Sequence, residues 1–302
     1  MKHYFKVQKV KPKKPSITRK VLSLIFSNFN IINWLIVANV LFFVLTLFIG
    51  IFSSNSVNGD YENSAFRFLA LQANHLFSDG YFWTLLTSMF MHAGFIHLFV
   101  NMLSLFFIGG FLEMIIGKKR FFWLYIFSGI FAGLFFALLS FYFGNSLWGA
   151  KIFSNPNTYA VGASGAIFAI AGVLAVLIPK KKVLLLMGPL VAIILQSILW
   201  MFIKNTSLLG ILDFLINIYI FIVIFSLLSF SYKLRNISLP IPMPFWMIPL
   251  AAIVPLVIIG LFVELPIGNM AHLGGFIFGA LYGFYLRFKY KKKTKMLSQY
   301  FS

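Results

Sequence analysis

The chain has 302 residues, is 61% hydrophobic and only 10% charged, with a mean hydropathy of +0.93. A soluble domain carries about 25% charged residues, so this composition excludes an ordinary soluble enzyme and points to several membrane crossings. The net charge of +19 does not mark a nucleic-acid binder, because the basic residues fall in short clusters between apolar runs and leave no basic face; with no cysteine, disulfides, thiolate metal sites and a cysteine nucleophile are excluded.

Residues 1–30 are a basic tail, rich in lysine from Lys2 to Lys20. The tail is too polar for the apolar region of a signal peptide and reads as a cytoplasmic segment touching anionic lipid. A membrane domain follows over 31–288, and residues 289–302 form a basic C-terminal tail. Residues 32–53 are long enough for a first span. Residues 54–81 hold Asp60, Glu62, Arg67, His75 and Asp79 among phenylalanines and leucines. They are too polar to cross and too apolar to hang free, so they read as a loop lying in the outer interface.

A second span is expected over about 85–116, carrying His92, His97 and Asn101 and closed by Lys118, Lys119 and Arg120. The third covers about 121–143, with an outer loop over 144–158. The fourth covers about 160–178 and ends at Pro179 and Lys180 to Lys182. Apolar runs 183–203 and 207–231 come next, the second containing Asp213, then Lys233 and Arg235. The last two spans are 244–264 and 267–288, closed by Lys289 and Lys291 to Lys293. With both termini in the cytoplasm, every basic cluster falls inside, as the positive-inside rule requires. The expectation is therefore an all-α bundle of eight spans in the cell membrane.

This topology brings four polar side chains to one depth in the outer half. Ser164 starts the fourth span within Gly162-Ala163-Ser164-Gly165, and His272 starts the last. His97 and Asn101 are four apart on one face of the second. Lipid offers such groups no partner, so they must face protein or a polar cavity. Gly275, Gly279 and Gly283 recur every four residues, a ridge for close helix contact, and His272 lies on that face. Gly162 and Gly165 give the serine helix a matching smooth patch. Ser164 is therefore expected against His272, a nucleophile beside its base. His97, Asn101 and the Ser164 N–H can supply an oxyanion hole. Phe168, four residues after Ser164, can pack on the imidazole. No acid matches His272 in depth, which makes the pair a dyad. His92, five before His97, falls on another face and reads as structural.

These residues resemble the rhomboid family of intramembrane serine proteases. The resemblance runs from about Phe66 to Gly283 and rests on Trp83, on Phe90-Met91-His92 through His97 and Asn101, on Gly109-Gly110 with Glu113, on Gly162-Ala163-Ser164-Gly165, and on Ala271-His272-Leu273-Gly274-Gly275 with Gly279. It implies six core spans, Ser164 as nucleophile, His272 as general base, and His97, Asn101 and the Ser164 N–H as oxyanion hole. It also implies transmembrane proteins as substrates and no metal or cofactor. Thr84 stands where many members have arginine, and Phe168 where some have tyrosine. Two extra spans are inserted within about 183–235. A second reading is a catalytically silent relative that binds or escorts membrane proteins. A transporter would need more intramembrane acids than this chain has, and no His-Glu-x-x-His motif is present for zinc.

Overall fold

A computed structural model describes residues 30–53, 64–203, 206–228, 238–262 and 268–301. The basic tail before residue 30, Asp60, Glu62, Lys204, the Lys233 and Arg235 cluster and Pro266 lie outside them. Helix α1 (Ile31–Ser53) is followed by two short helices, α2 (Ser64–Leu69) and α3 (Ala73–Phe77), so the mixed 54–81 region contains no spanning helix among the described residues. After α4 (Thr84–Thr87) comes a long helix in three parts: α5 (Phe95–Ser104), a π turn (Leu105–Gly109) and α6 (Gly110–Ile116). Helix α7 (Lys118–Phe143), the short α8 (Leu147–Phe153) and α9 (Ser164–Leu177) complete the first half. Strand β1 (Lys182–Leu186) leads into helices α10 (Met187–Phe202) and α11 (Thr206–Leu228). Strand β2 (Pro240–Pro244) then precedes a 3-10 turn (Phe245–Met247), α12 (Ile248–Gly260), α13 (Asn269–Lys289) and α14 (Lys291–Tyr300).

Among the described residues, four helical stretches are long and apolar enough to cross a membrane: Ile31–Ile49, Phe95–Ile116, Lys118–Phe143 and Thr206–Val223. Ser164–Leu177 and Phe245–Gly260 are shorter apolar helices. The fold is thus a polytopic helical bundle.

Helix α9 is its centre. From Gly165 to Leu177 every residue but Phe168 is buried, between α13 on one side and α7 on the other. The contact with α13 is made by glycine on both helices. A Cβ at Gly275 would overlap the Gly165 carbonyl oxygen, and one at Gly279 would overlap that of Ala169. From the other side, a Cβ at Gly172 would sit 2.6 Å from the Phe276 carbonyl oxygen. The backbones therefore touch, and dispersion and weak C–H···O contacts replace side-chain packing.

Three details differ from the sequence expectation. The second span does not begin near residue 85. Its helix starts at Phe95, because residues 88–94 form a non-helical segment ending at Gly94, whose φ of −178° is extended. Residues 182–186, of which 183–186 are expected to open an apolar run, form a strand paired antiparallel with β2, so the fold is not wholly helical. Glu113, set in an apolar run, is 5% exposed and accepts hydrogen bonds from the N–H groups of Ile31 (3.0 Å) and Ile32 (3.4 Å). Its carboxylate caps α1 and meets the positive end of that helix dipole.

The two-stranded ribbon explains how α10 and α11 are accommodated. Lys182 faces Pro244 and Leu186 faces Pro240, so the insertion leaves and re-enters at neighbouring points. Phe245 N–H donates to Lys181 C=O at 2.9 Å, which continues the register. The alternation then turns the backbone nitrogens of positions 240, 242 and 244 away from β1, and all three are proline. The outer edge has no N–H to offer a further strand. Helices α10 and α11 are largely exposed, including Leu195, Phe202, Phe214 and Phe221. Asp213 accepts a 2.7 Å hydrogen bond from the Gln196 amide across this hairpin. Replacing residues 187–239 by a short asparagine–glycine turn should cost less than about 2 kcal/mol of stability. Unfolding titrations in mixed micelles check this. Failure to recover folded protein would make the hairpin part of the core.

Candidate active site

Ser164 is the first residue of α9 and His272 the fourth of α13, so the glycine contact brings both helix starts together at one pole. The Ser164 Oγ lies 2.8 Å from His272 Nε2. With Nε2 accepting from the hydroxyl, the neutral ring carries its proton on Nδ1. Nδ1 is buried and has no hydrogen-bond partner among the described residues. The Phe168 ring stacks on the imidazole, centroids 4.4 Å apart and planes 19° from parallel.

The approach to Ser164 is fixed by Gly162. Its N–H donates to Ser88 C=O at 2.8 Å, tying the entry to α9 to the 88–94 segment. Its φ of +121° is open only to glycine at little cost. A Cβ there would sit 2.9 Å from His97 Cε1 and Nε2 and 3.4 Å from Asn101 Nδ2. Two residues before Ser164, then, the chain presses against the side chains of His97 and Asn101. Asn101 is 6% exposed, and its Nδ2 has no partner among the described residues. An amide donor buried without an acceptor is costly to keep. The first-turn N–H groups of α9, Ser164 included, are also left free by the helix.

Upstream, the loop before α5 is pinned by its own hydrogen bonds. Trp83 Nε1 donates to Phe68 C=O at 2.7 Å, and Thr87 Oγ1 to Leu69 C=O at 2.7 Å. Thr84 Oγ1 turns back to Tyr81 C=O at 2.6 Å. His92 sits in the segment before α5 rather than on the helix, its Nδ1 3.3 Å from Phe90 C=O. Its ring meets that of His97 edge-on, 5.1 Å between centroids. A helical reading of 85–116 put these two histidines on different faces. The break at Gly94 brings them together, and Gly94 was the signal for it. Asp213 belongs to the α10–α11 hairpin and its carboxylate is held by Gln196. Among the described residues no group of three or more histidines and acids that could hold a metal ion comes together.

A half-buried serine–histidine pair at one end of a polytopic helical bundle defines a class: membrane proteins that bring a hydroxyl and an imidazole together at one pole of the bundle. The sequence matches the family model described as Rhomboid domain over residues 79–218 and 217–289. The chain belongs to the rhomboid family. It is 36% identical over 97 residues to the Bacillus subtilis protein named "Putative rhomboid protease YdcA", covering 32% of this chain and 41% of that one. It is 35% identical over 106 residues to RHOMBOID-like protein 5 of Arabidopsis thaliana, covering 35% and 30%. With Rhomboid protein 1, mitochondrial, of Saccharomyces cerevisiae it shares 33% over 127 residues, covering 41% and 32%. The matched part thus spans less than half the length of each of these relatives.

Proposed function

We propose that the protein is an intramembrane serine endopeptidase that hydrolyses peptide bonds in or near transmembrane segments of other membrane proteins. The observation that carries this reading is the 2.8 Å contact between Ser164 Oγ and His272 Nε2. Ser164 attacks the carbonyl carbon while His272 Nε2 takes its proton. The C–N bond breaks as the imidazolium returns that proton to the leaving nitrogen, and Ser164 is left as an acyl ester. Water, deprotonated by the same nitrogen, then releases the acid and restores the hydroxyl. The negative oxygen of each tetrahedral intermediate is met by the Asn101 amide, His97 and the Ser164 N–H at the positive end of α9. A substrate helix must unwind to expose its scissile bond, which small or helix-breaking residues near the membrane boundary make easier.

The basic segments around 118–120, 180–182 and 287–295 all lie at the pole opposite Ser164. With the positive-inside rule, this supports a cytoplasmic C terminus and a dyad toward the outer face of the cell membrane. Eight crossings, six of the core and two in the inserted hairpin, accommodate the helices described.

A fluorophosphonate probe tests the nucleophile. Labelling of the wild type that disappears in Ser164→Ala is expected, and labelling that persists would overturn the assignment. Phe168 acts as a positioning residue through its stack on His272. Such a pair is worth about 0.5–1.5 kcal/mol, so Phe168→Ala should lower kcat by roughly tenfold with KM little changed. Phe168→Tyr, which keeps the ring, should restore kcat. Steady-state kinetics on a reconstituted substrate measure the split.

A further inference from the structure

The dyad leaves the opposite pole of the molecule unexplained, and that pole is strongly cationic. Among the described residues, the pole that holds Ser164 has only Arg67 and Lys151. Every other described Lys or Arg sits at the far pole, in the 118–120 and 180–182 segments, at the end of α13 and on α14. The one described acid there, Glu113, is buried and committed to the first amides of α1.

Helix α14 does not run on into solvent. Tyr290, with φ −117° and ψ 40°, breaks it from α13, and Leu297 and Phe301 pack back on the core. Phe301 meets Phe111 edge-on at 5.4 Å, and Lys181 Nζ lies 4.8 Å above the Phe301 ring. The lysines of α14 are thus held against the base of the bundle, and all are exposed. At the junction, Arg120 Nη2 donates to the Tyr290 hydroxyl at 2.8 Å and its guanidinium lies 5.0 Å from that ring. Lys289 Nζ donates to the Tyr285 hydroxyl at 2.7 Å and lies 5.9 Å from the same Tyr290 ring. Two cations share one aromatic ring, with no carboxylate of the described residues between them. The tyrosine hydrogen bonds hold both side chains at the junction, which lowers the entropy lost on binding an anion.

We propose that this pole is an anionic-phospholipid site, with Arg120 and Lys289 holding a headgroup phosphate at the α13–α14 junction and α14 lying in the interface beside it. The inference goes beyond the hydrolytic reading and does not depend on it. Each cation near an anionic surface contributes about fivefold in association.

The test reconstitutes the full chain in bilayers containing spin-labelled phosphatidylglycerol or spin-labelled phosphatidylcholine and measures the motionally restricted fraction of each. The wild type should favour phosphatidylglycerol several-fold. The R120Q/K289Q variant should lose most of that preference, and K292Q/K293Q/K295Q should lose part of it. Thermal unfolding confirms that each variant is folded, and the α14 variant carries the test alone if the junction variant is not. Equal association of both lipids with the wild type, or a preference untouched in the variants, would overturn the proposal. Full displacement of the lipid by excess inorganic phosphate would also overturn it, since it would mark a site for a soluble anion.

Discussion

Ser164→Ala should lower the rate of membrane-substrate cleavage by about ten-thousandfold or more, and His272→Ala by a similar factor. The two losses should not multiply. With the hydroxyl gone, the imidazole has no proton to take, and with the imidazole gone, a neutral serine is a poor nucleophile. The double variant should therefore match the worse single variant. Residual activity would come from whatever the Asn101 amide and the first amides of α9 still do for a carbonyl oxygen. Cleavage in proteoliposomes, followed by mass spectrometry of the fragments, measures each rate. Wild-type cleavage in both single variants would remove the dyad from the mechanism. Full cleavage in His272→Ala alone would keep Ser164 and require another base.

The second large effect concerns a residue that touches no substrate. Gly279→Val places a Cβ on the Ala169 carbonyl oxygen, which is backbone and cannot rotate aside. The α9 and α13 helices must separate, and their contact is backbone against backbone over most of its length. A loss of about 3 kcal/mol or more is expected, at the upper end of overpacking effects. Separation also carries His272 away from Ser164, and a displacement of about 1 Å can cost a hundredfold in rate. Unfolding titrations and fluorophosphonate labelling should fall together in Gly279→Val. Gly210→Ala is the matched control, because nothing lies within 4 Å of a Cβ there, and it should behave as wild type. An unchanged Gly279→Val would mean that the two helices are less tightly joined than their backbones indicate.

How much of this was legible follows from what each feature rests on. The pairing of Ser164 with His272 could be read because membrane helices have few polar groups and their depth follows from the order of spans. The glycine ridge Gly275, Gly279 and Gly283 then supplied the face, since a period of four survives without any knowledge of partners. The 88–94 break was not legible in the same way. Its residues are as apolar as those of a helix, and hydropathy does not report the hydrogen bond from Gly162 N–H to Ser88 C=O that pins the segment. Glu113 looked like a lone acid in an apolar run, and only the fold brings the start of α1, more than eighty residues earlier, to its carboxylate. The ribbon was hidden for a related reason. Residues 183–186 open an apolar run that reads as span, and the prolines of 240–244 signal an edge only once the neighbouring strand is known.

That ribbon also bears on how such a bundle can grow. Because its two strands lie side by side, whatever is threaded between Leu186 and Pro240 must start and finish on the same side of the bilayer. Only an even number of crossings satisfies that condition. A hairpin of two can enter the chain, and the helix bearing His272 still points the way it did before; a single added crossing would invert it and carry the imidazole to the wrong leaflet. The prolines along the outer edge meanwhile deny the seam to other strands. Membrane content on this side of the molecule is thus free to change by pairs, while the orientation of the half that holds Ser164 and His272 is conserved by counting alone.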